Sequence, residues 1–216
     1  MKILTFTGGP FAENGYLAIC RATREAVAID PGAVSDRMVA ALRQEGARLA
    51  AILLTHAHLD HVEGVPELRS HADAPIYLHR ADIPLYEHVQ VQAAAFGVPS
   101  PDLPMPTWDL NHDDVFTFGK VELEVRHAPG HSPGHVILVA SRHGVAFVGD
   151  VVFSGSIGRT DLPGGDFRTL LASIREQVLT LPEDTRLLTG HGPATTVARE
   201  RADNPFLVPE EAGGLG

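Results

Sequence analysis

Short apolar, β-branched runs separated by turn residues recur along the chain, and they limit its fold more than any other feature. They occupy residues 16–20, 26–29, 51–54, 121–125, 136–139, 145–148 and 186–188, and each reads as a strand. Between them lie stretches with helical spacing. Ser35 stands as a cap ahead of Met38, Ala41 and Leu42, with Gly46 as the stop. Over 166–181, Leu170, Leu171, Ile174, Val178 and Leu181 share one face, and Pro182 follows as a breaker. Strands mixed with helices predict an α/β fold, and short connections between the early strands predict antiparallel pairs as well. A sandwich of mixed sheets flanked by helices satisfies both. Pro99, Pro101, Pro104 and Pro106 predict a long surface loop over 97–108, of the kind that contacts substrates. A chain of 216 residues, 44% hydrophobic, can bury the core of one domain, which we assign to 1–203. Residues 204–216, rich in Pro, Glu and Gly, read as a loose tail.

Charge and patterning exclude several partners. A formal net charge of −10 opposes capture of polyphosphate, so no nucleic-acid partner is expected. No apolar run approaches the ~20 residues of a membrane helix. The opening residues, Met1 to Thr7, are too short and polar for a signal peptide, which leaves a soluble cytoplasmic protein as the expectation. The single cysteine, Cys20, sits in an apolar run, forms no internal disulfide and reads as core packing.

Histidine is the unusual residue, with twelve in the chain, and they are bunched behind the strand-like runs. Residues 51–54 lead to His56, His58, Asp60 and His61; 121–125 lead to His131; 146–148 lead to Asp150; 187–188 lead to His191. Strand ends cluster in α/β folds, so these seven side chains can converge. Imidazole and carboxylate without thiolate suit zinc, iron or manganese, and seven ligands exceed one tetrahedral ion but are enough for two. The isolated His71, His79, His88, His112 and His143 read instead as surface or satisfied core residues. The cluster at 56–61 does not admit that reading. It sets several polar groups beside the apolar Ile52-Leu53-Leu54, where burial requires a partner such as a metal.

The run Thr55-His56-Ala57-His58-Leu59-Asp60-His61, followed in order by Pro129-Gly130-His131, Gly149-Asp150 and Gly190-His191, resembles the signature of the metallo-β-lactamase superfamily, and within it the glyoxalase II-like hydrolases. The resemblance extends over nearly the whole chain. It implies a four-layer αβ/βα sandwich, with two mixed β-sheets flanked by helices. It also implies that His56, His58 and His131 hold one metal and that Asp60, His61 and His191 hold a second, with Asp150 bridging them. Asp60 and Asp150 then serve the chemistry, on two divalent ions, zinc first and iron or manganese as substitutes. Asp30, in Ile29-Asp30-Pro31-Gly32, is expected to orient ligands rather than to coordinate.

Two metals a few ångströms apart lower the pKa of a shared water towards neutrality and aim it at a carbonyl carbon. No Gly-x-Ser-x-Gly elbow offers a rival nucleophile. A thioester suits such a centre, because a thiolate of pKa near ~8.5 departs with little help from an acid. The resemblance implies S-acylglutathione as the small-molecule partner, S-lactoylglutathione first. Its match to two-domain glyoxalase II stops soon after His191, so the helical C-terminal domain with its glutathione contacts is not expected. Ser156-Ile157-Gly158-Arg159-Thr160-Asp161 replaces the Lys- and Tyr-containing loop of that form. Arg159 is therefore the candidate to hold a substrate carboxylate, with an ion pair to Asp161 as the alternative. The Gly-Arg-Thr-Asp run is also similar to one in persulfide dioxygenases, which implies a rival reading, mononuclear iron on His56, His131 and Asp150. A metal-binding module without catalysis ranks lower, since seven ligands exceed structural need. Acidic charge argues against a phosphodiesterase of the ribonuclease Z kind.

Overall fold

The structure is a computed structural model that describes residues 1–208. A five-stranded sheet comprises β1 (Lys2–Gly8), β2 (Glu13–Ile19), β3 (Glu25–Ile29), β4 (Arg48–Leu53) and β5 (Ile76–Tyr77), in that order. Its first three strands are antiparallel, and β4 lies parallel to both β3 and β5. The chain then forms β6 (Val115–Phe118), β7 (Val121–His127), β8 (Val136–Ala140) and β9 (Val145–Gly149). A two-stranded ribbon, β10 (Val152–Phe153) and β11 (Ser156–Ile157), follows, and β12 (Arg186–Thr189) and β13 (Thr195–Thr196) close the second sheet. Its order is β13-β12-β9-β8-β7-β6, with β9 and β12 parallel.

All seven strand-like runs of the sequence lie in strands; in β2, β3, β8 and β9 the continuous apolar character follows from burial on both faces, whereas β7 alternates buried and more exposed positions. Successive side chains point into different layers. From β2, Leu17 and Ile19 pack outward with Met38 and Leu42 of α1 (Ser35–Glu45). Tyr16 and Ala18 of the same strand pack inward, against Leu123, Leu138 and Phe147 of the second sheet. On its far face, Ile137, Val139, Ala146 and Leu187 meet Leu170, Ile174 and Val178. Helix, sheet, sheet and helix thus form the expected four-layer αβ/βα sandwich. The remaining helices are α2 (Leu59–Val62), α3 (Val65–His71), α4 (Ile83–Glu87), α5 (Val89–Phe96), α6 (Phe167–Ser173) and α7 (Val197–Asp203).

Several local expectations are corrected. Gly46 ends α1 in the left-handed region, as the sequence suggests, but Ser35 is the first helical residue and no side chain caps it. Asp166 caps α6 by accepting from the Thr169 N–H, and the helical run continues as a π-helical turn over Ile174–Val178. Residues 97–108 form no helix, yet they do not reach the cleft described below. They cover the β5 edge, where the N–H groups of Thr107 and Trp108 donate to the Ile76 carbonyl and the Tyr86 hydroxyl donates to the Pro104 carbonyl. The tail is packed at its start, because Asn204 is buried with its Nδ2 donating to the Ser156 carbonyl, and Leu207 joins the outer apolar layer. The rest of it, 209–216, lies outside the described residues. Among the described residues no helix is long and apolar enough to cross a membrane.

Candidate metal centre

Backbone bonds draw the carboxyl ends of β4, β9 and β12 to one rim. Val136 N–H donates to the Thr55 carbonyl at 2.8 Å, Gly190 N–H to Gly149 at 2.7 Å, and Asn14 N–H to Gly190 at 2.7 Å. The Asn14 side chain ties the β12 turn further, its Nδ2 donating to the Thr189 and Gly192 carbonyls at 3.0 and 2.8 Å. Space at the rim is tight. A Cβ on Gly190 would collide with Asp150 Oδ1, so only glycine fits beside that carboxylate.

On this rim the seven expected residues meet. His56, His58 and His131 bring one ligand atom each to within 4.8 Å of one another, and so do Asp60, His61 and His191. Asp150 stands between the two sets. Its Oδ1 is 3.4 Å from His61 Nε2, and its Oδ2 is 3.5 Å from His131 Nε2 and 3.4 Å from His191 Nε2.

Hydrogen bonding settles which imidazole nitrogen faces the centre. Thr55 Oγ1 donates its single proton to Asp30 Oδ2 at 2.6 Å, so it accepts from His56 Nδ1–H at 3.0 Å. His61 Nδ1 lies 3.1 Å from Asp30 Oδ2, His131 Nδ1 2.7 Å from the Arg159 carbonyl, and His191 Nδ1 3.1 Å from the Phe11 carbonyl. Each oxygen takes the Nδ1 proton and turns Nε2 inward, the arrangement by which proteins orient metal-ligating histidines. Asp30 also lies within ligand range of His56 and His61, but its oxygens are taken up by Thr55 N–H, Thr55 Oγ1 and His61. Those bonds turn its carboxylate towards Thr55 and His61.

The residues present fit bound metal. His56 Nε2, His61 Nε2 and Asp150 Oδ1 are buried and have no hydrogen-bond partner, a costly arrangement that a cation would relieve. Burial, and then the facing His131, press the His58 imidazole down to about 3, and burial likewise holds His56 well below its usual value. At the other set burial opposes protonation of His61 and His191, but Asp150 and Asp60 outweigh it, raising His61 well above the ordinary range and His191 to about 10. Asp150, which burial alone would raise, is held well below the carboxylate range by His61 and His191.

The sequence pattern of the metallo-beta-lactamase superfamily matches residues 8–191, from the end of β1 to the last of these ligand candidates. The chain belongs to the metallo-β-lactamase superfamily. It is 39% identical over 186 residues to the hydroxyacylglutathione hydrolase GloC of Haemophilus influenzae, covering 85% of this chain and 88% of that protein. The crystal structure of TTHA1623 in a di-iron-bound form superposes with a TM-score of 0.87 at 43% identity, over 94% of this chain and 100% of that one. The BLEG-1 B3 metallo-beta-lactamase does so with a TM-score of 0.87 at 38% identity, over 96% and 100%.

Residues that sequence reasoning missed hold this metallo-β-lactamase rim in shape. His135 is fully buried, its ring stacked on His56 at 4.7 Å, and its Nε2 accepts the Asp150 N–H at 3.1 Å. Asp82, also fully buried, accepts from Ala57 N–H and Ser132 Oγ at its Oδ2 and from Gly134 N–H at its Oδ1, at 3.0, 2.7 and 2.5 Å. It joins the loop of His56 and His58 to the loop of His131. Arg159 lines the cleft over the centre, which has a volume of about 510 Å³, but its guanidinium is paired to Asp161 through Nε and Nη2, at 2.7 and 2.8 Å.

Proposed function

We propose that this chain is a dinuclear metallohydrolase that cleaves thioesters of the S-acylglutathione type. The observation that carries the reading is the position of Asp150, whose two oxygens lie 3.4–3.5 Å from imidazoles of both donor sets. A single ion would leave Asp60, His61 and His191 as a second converging donor set without an ion. Bound divalent ions would supply a water acidic enough to attack at neutral pH and a Lewis acid for the carbonyl oxygen. His56, His58 and His131 would hold the first ion, and Asp60, His61 and His191 the second. Asp150 would reach both and, with Asp60, would orient the attacking water; both carboxylates are kept ionised by facing imidazoles.

The chain's own groups supply the rest. Phe153 and Phe11 wall the cleft and limit bulk water over the centre. A thiolate leaving group needs no general acid, and among the described residues none stands free in the cleft lining apart from the ligand candidates. Similarity to the Haemophilus influenzae hydroxyacylglutathione hydrolase supports a glutathione thioester, and similarity to a di-iron-bound structure supports two ions. Nitrogen and oxygen donors accept zinc, iron and manganese alike.

Aerobic assay of the metal-loaded protein on S-lactoylglutathione and glutathione persulfide tests the reading. Thiol release from the thioester without oxygen uptake is expected. Oxygen consumption with the persulfide and no thioester cleavage would assign mononuclear iron on His56, His131 and Asp150 instead.

A further inference from the structure

This inference rests on the thioesterase reading and names what the site selects. We propose that the cleft recognises its substrate through an apolar acyl group, an aliphatic or aryl chain longer than lactoyl, while the charged thiol moiety stays towards solvent. The walls above the metal centre are Phe11, Leu85, Val91, Phe96, Phe153 and Leu162. Phe11, in the β1–β2 turn, meets Phe96 of α5 edge to face at 5.1 Å across the mouth. Phe153 stands edge-on to His191 at 5.8 Å, so apolar surface runs from the mouth to the metal-facing side chains. Val91 is 64% exposed and Phe96 45%, large apolar groups left open at a concave site where a ligand would cover them.

The Arg159 and Gln92 side chains of the same walls are already engaged. Arg159 is the one Lys or Arg among the described lining residues, and Asp161 holds it through two parallel bonds. The Gln92 amide donates to the Ala57 and Leu85 carbonyls and accepts from Leu59 N–H. An incoming carboxylate would have to displace Asp161 from a planar pair, and Asp161, its carboxyl held at about 2 by Arg159, adds negative charge at the rim. Glutathione carries two carboxylates and meets no free cation on these walls. An apolar acyl chain gains instead, because each methylene it lays on Phe96, Val91 or Leu162 leaves water.

Calorimetric titration of the metal-loaded protein with acetate, butyrate and hexanoate, product anions of an acyl series, reads the wall without turnover. Initial rates on S-lactoyl-, S-butyryl- and S-hexanoylglutathione read it in catalysis. Affinity should rise about two- to fourfold per added methylene, and kcat/KM should favour hexanoyl over lactoyl by about tenfold. Phe96→Ala should flatten both dependences. Carboxylate affinity independent of chain length, or lactoyl hydrolysed at least as well as hexanoyl, would overturn the apolar wall. Chain-length-dependent carboxylate binding with no S-acylglutathione hydrolysed would leave the wall standing and overturn the glutathione thioesterase reading.

Discussion

At the scale of single residues, four of the five imidazoles at the centre, those of His56, His61, His131 and His191, are fixed through the nitrogen turned away from it, by oxygens of Thr55, Asp30, Arg159 and Phe11. Asp82 acts one step further out, holding the loops themselves. Asp82→Asn sets an amide N–H₂ against backbone donors at a fully buried site and should cost about 2 kcal/mol, which in a chain of this size lowers Tm by about 4–8 °C. Metal titration separates this from a purely structural loss. The His56, His58 and His131 set should lose affinity while the Asp60, His61 and His191 set, held by Asp30 and the Asn14 bonds, should not; equal loss at both would assign Asp82 to stability alone. The seven ligand candidates were legible because they follow apolar runs in bunches. His135 and Asp82 were not, since a lone histidine or aspartate carries no such pattern. One signal did exist: Pro129-Gly130-His131 is repeated at once as Pro133-Gly134-His135.

At the scale of elements, the strands with both faces buried announced themselves as unbroken apolar runs, whereas β1, largely half-exposed, did not. The short helices α2 to α5 were hidden for a related reason. Each is at most eight residues long, too short for a helical repeat to stand out, and α5 leaves Val91 and Phe96 open where a core stripe would close. Ser35 misled because it is the first residue of α1 rather than the one before it, and its hydroxyl bonds nothing in the first turn. Two of these elements set the acid–base behaviour of the second ligand set, His61 on α2 and His191 beyond β12. Without metal, His191 titrates near 10 against ~6.5 when unfolded. A raised folded value stabilises below the unfolded pKa, and that contribution is lost as pH rises towards 10. Metal displaces the same protons and binds more tightly as they leave. The Tm gap between metal-loaded and chelator-treated protein should therefore widen from pH 7 to 10, as differential scanning would record, and a narrowing gap would contradict this assignment.

At the scale of the molecule, two sheets packed face to face carry helices only on their outer sides, so the strand ends at one rim are free to hold ligands. The N-terminal sheet supplies His56, His58, Asp60 and His61, and the C-terminal sheet supplies His131, Asp150 and His191. Neither half completes either donor set alone, so metal bound there would be coupled to the docking of the sheets. The fold class was legible because apolar strand-like runs and stretches with helix spacing alternate along the chain. The substrate was not, because it depends on which polar groups in the cleft remain free, and the pairing of Arg159 with Asp161 is visible only in three dimensions. The central claim is that two ions share Asp150, and elemental analysis of purified native protein beside Asp150→Ala tests it most directly. About two metal equivalents per chain are expected, falling to one or fewer in the variant together with thioesterase activity. One equivalent in the native protein, or an Asp150→Ala variant that keeps both ions and full activity, would contradict it.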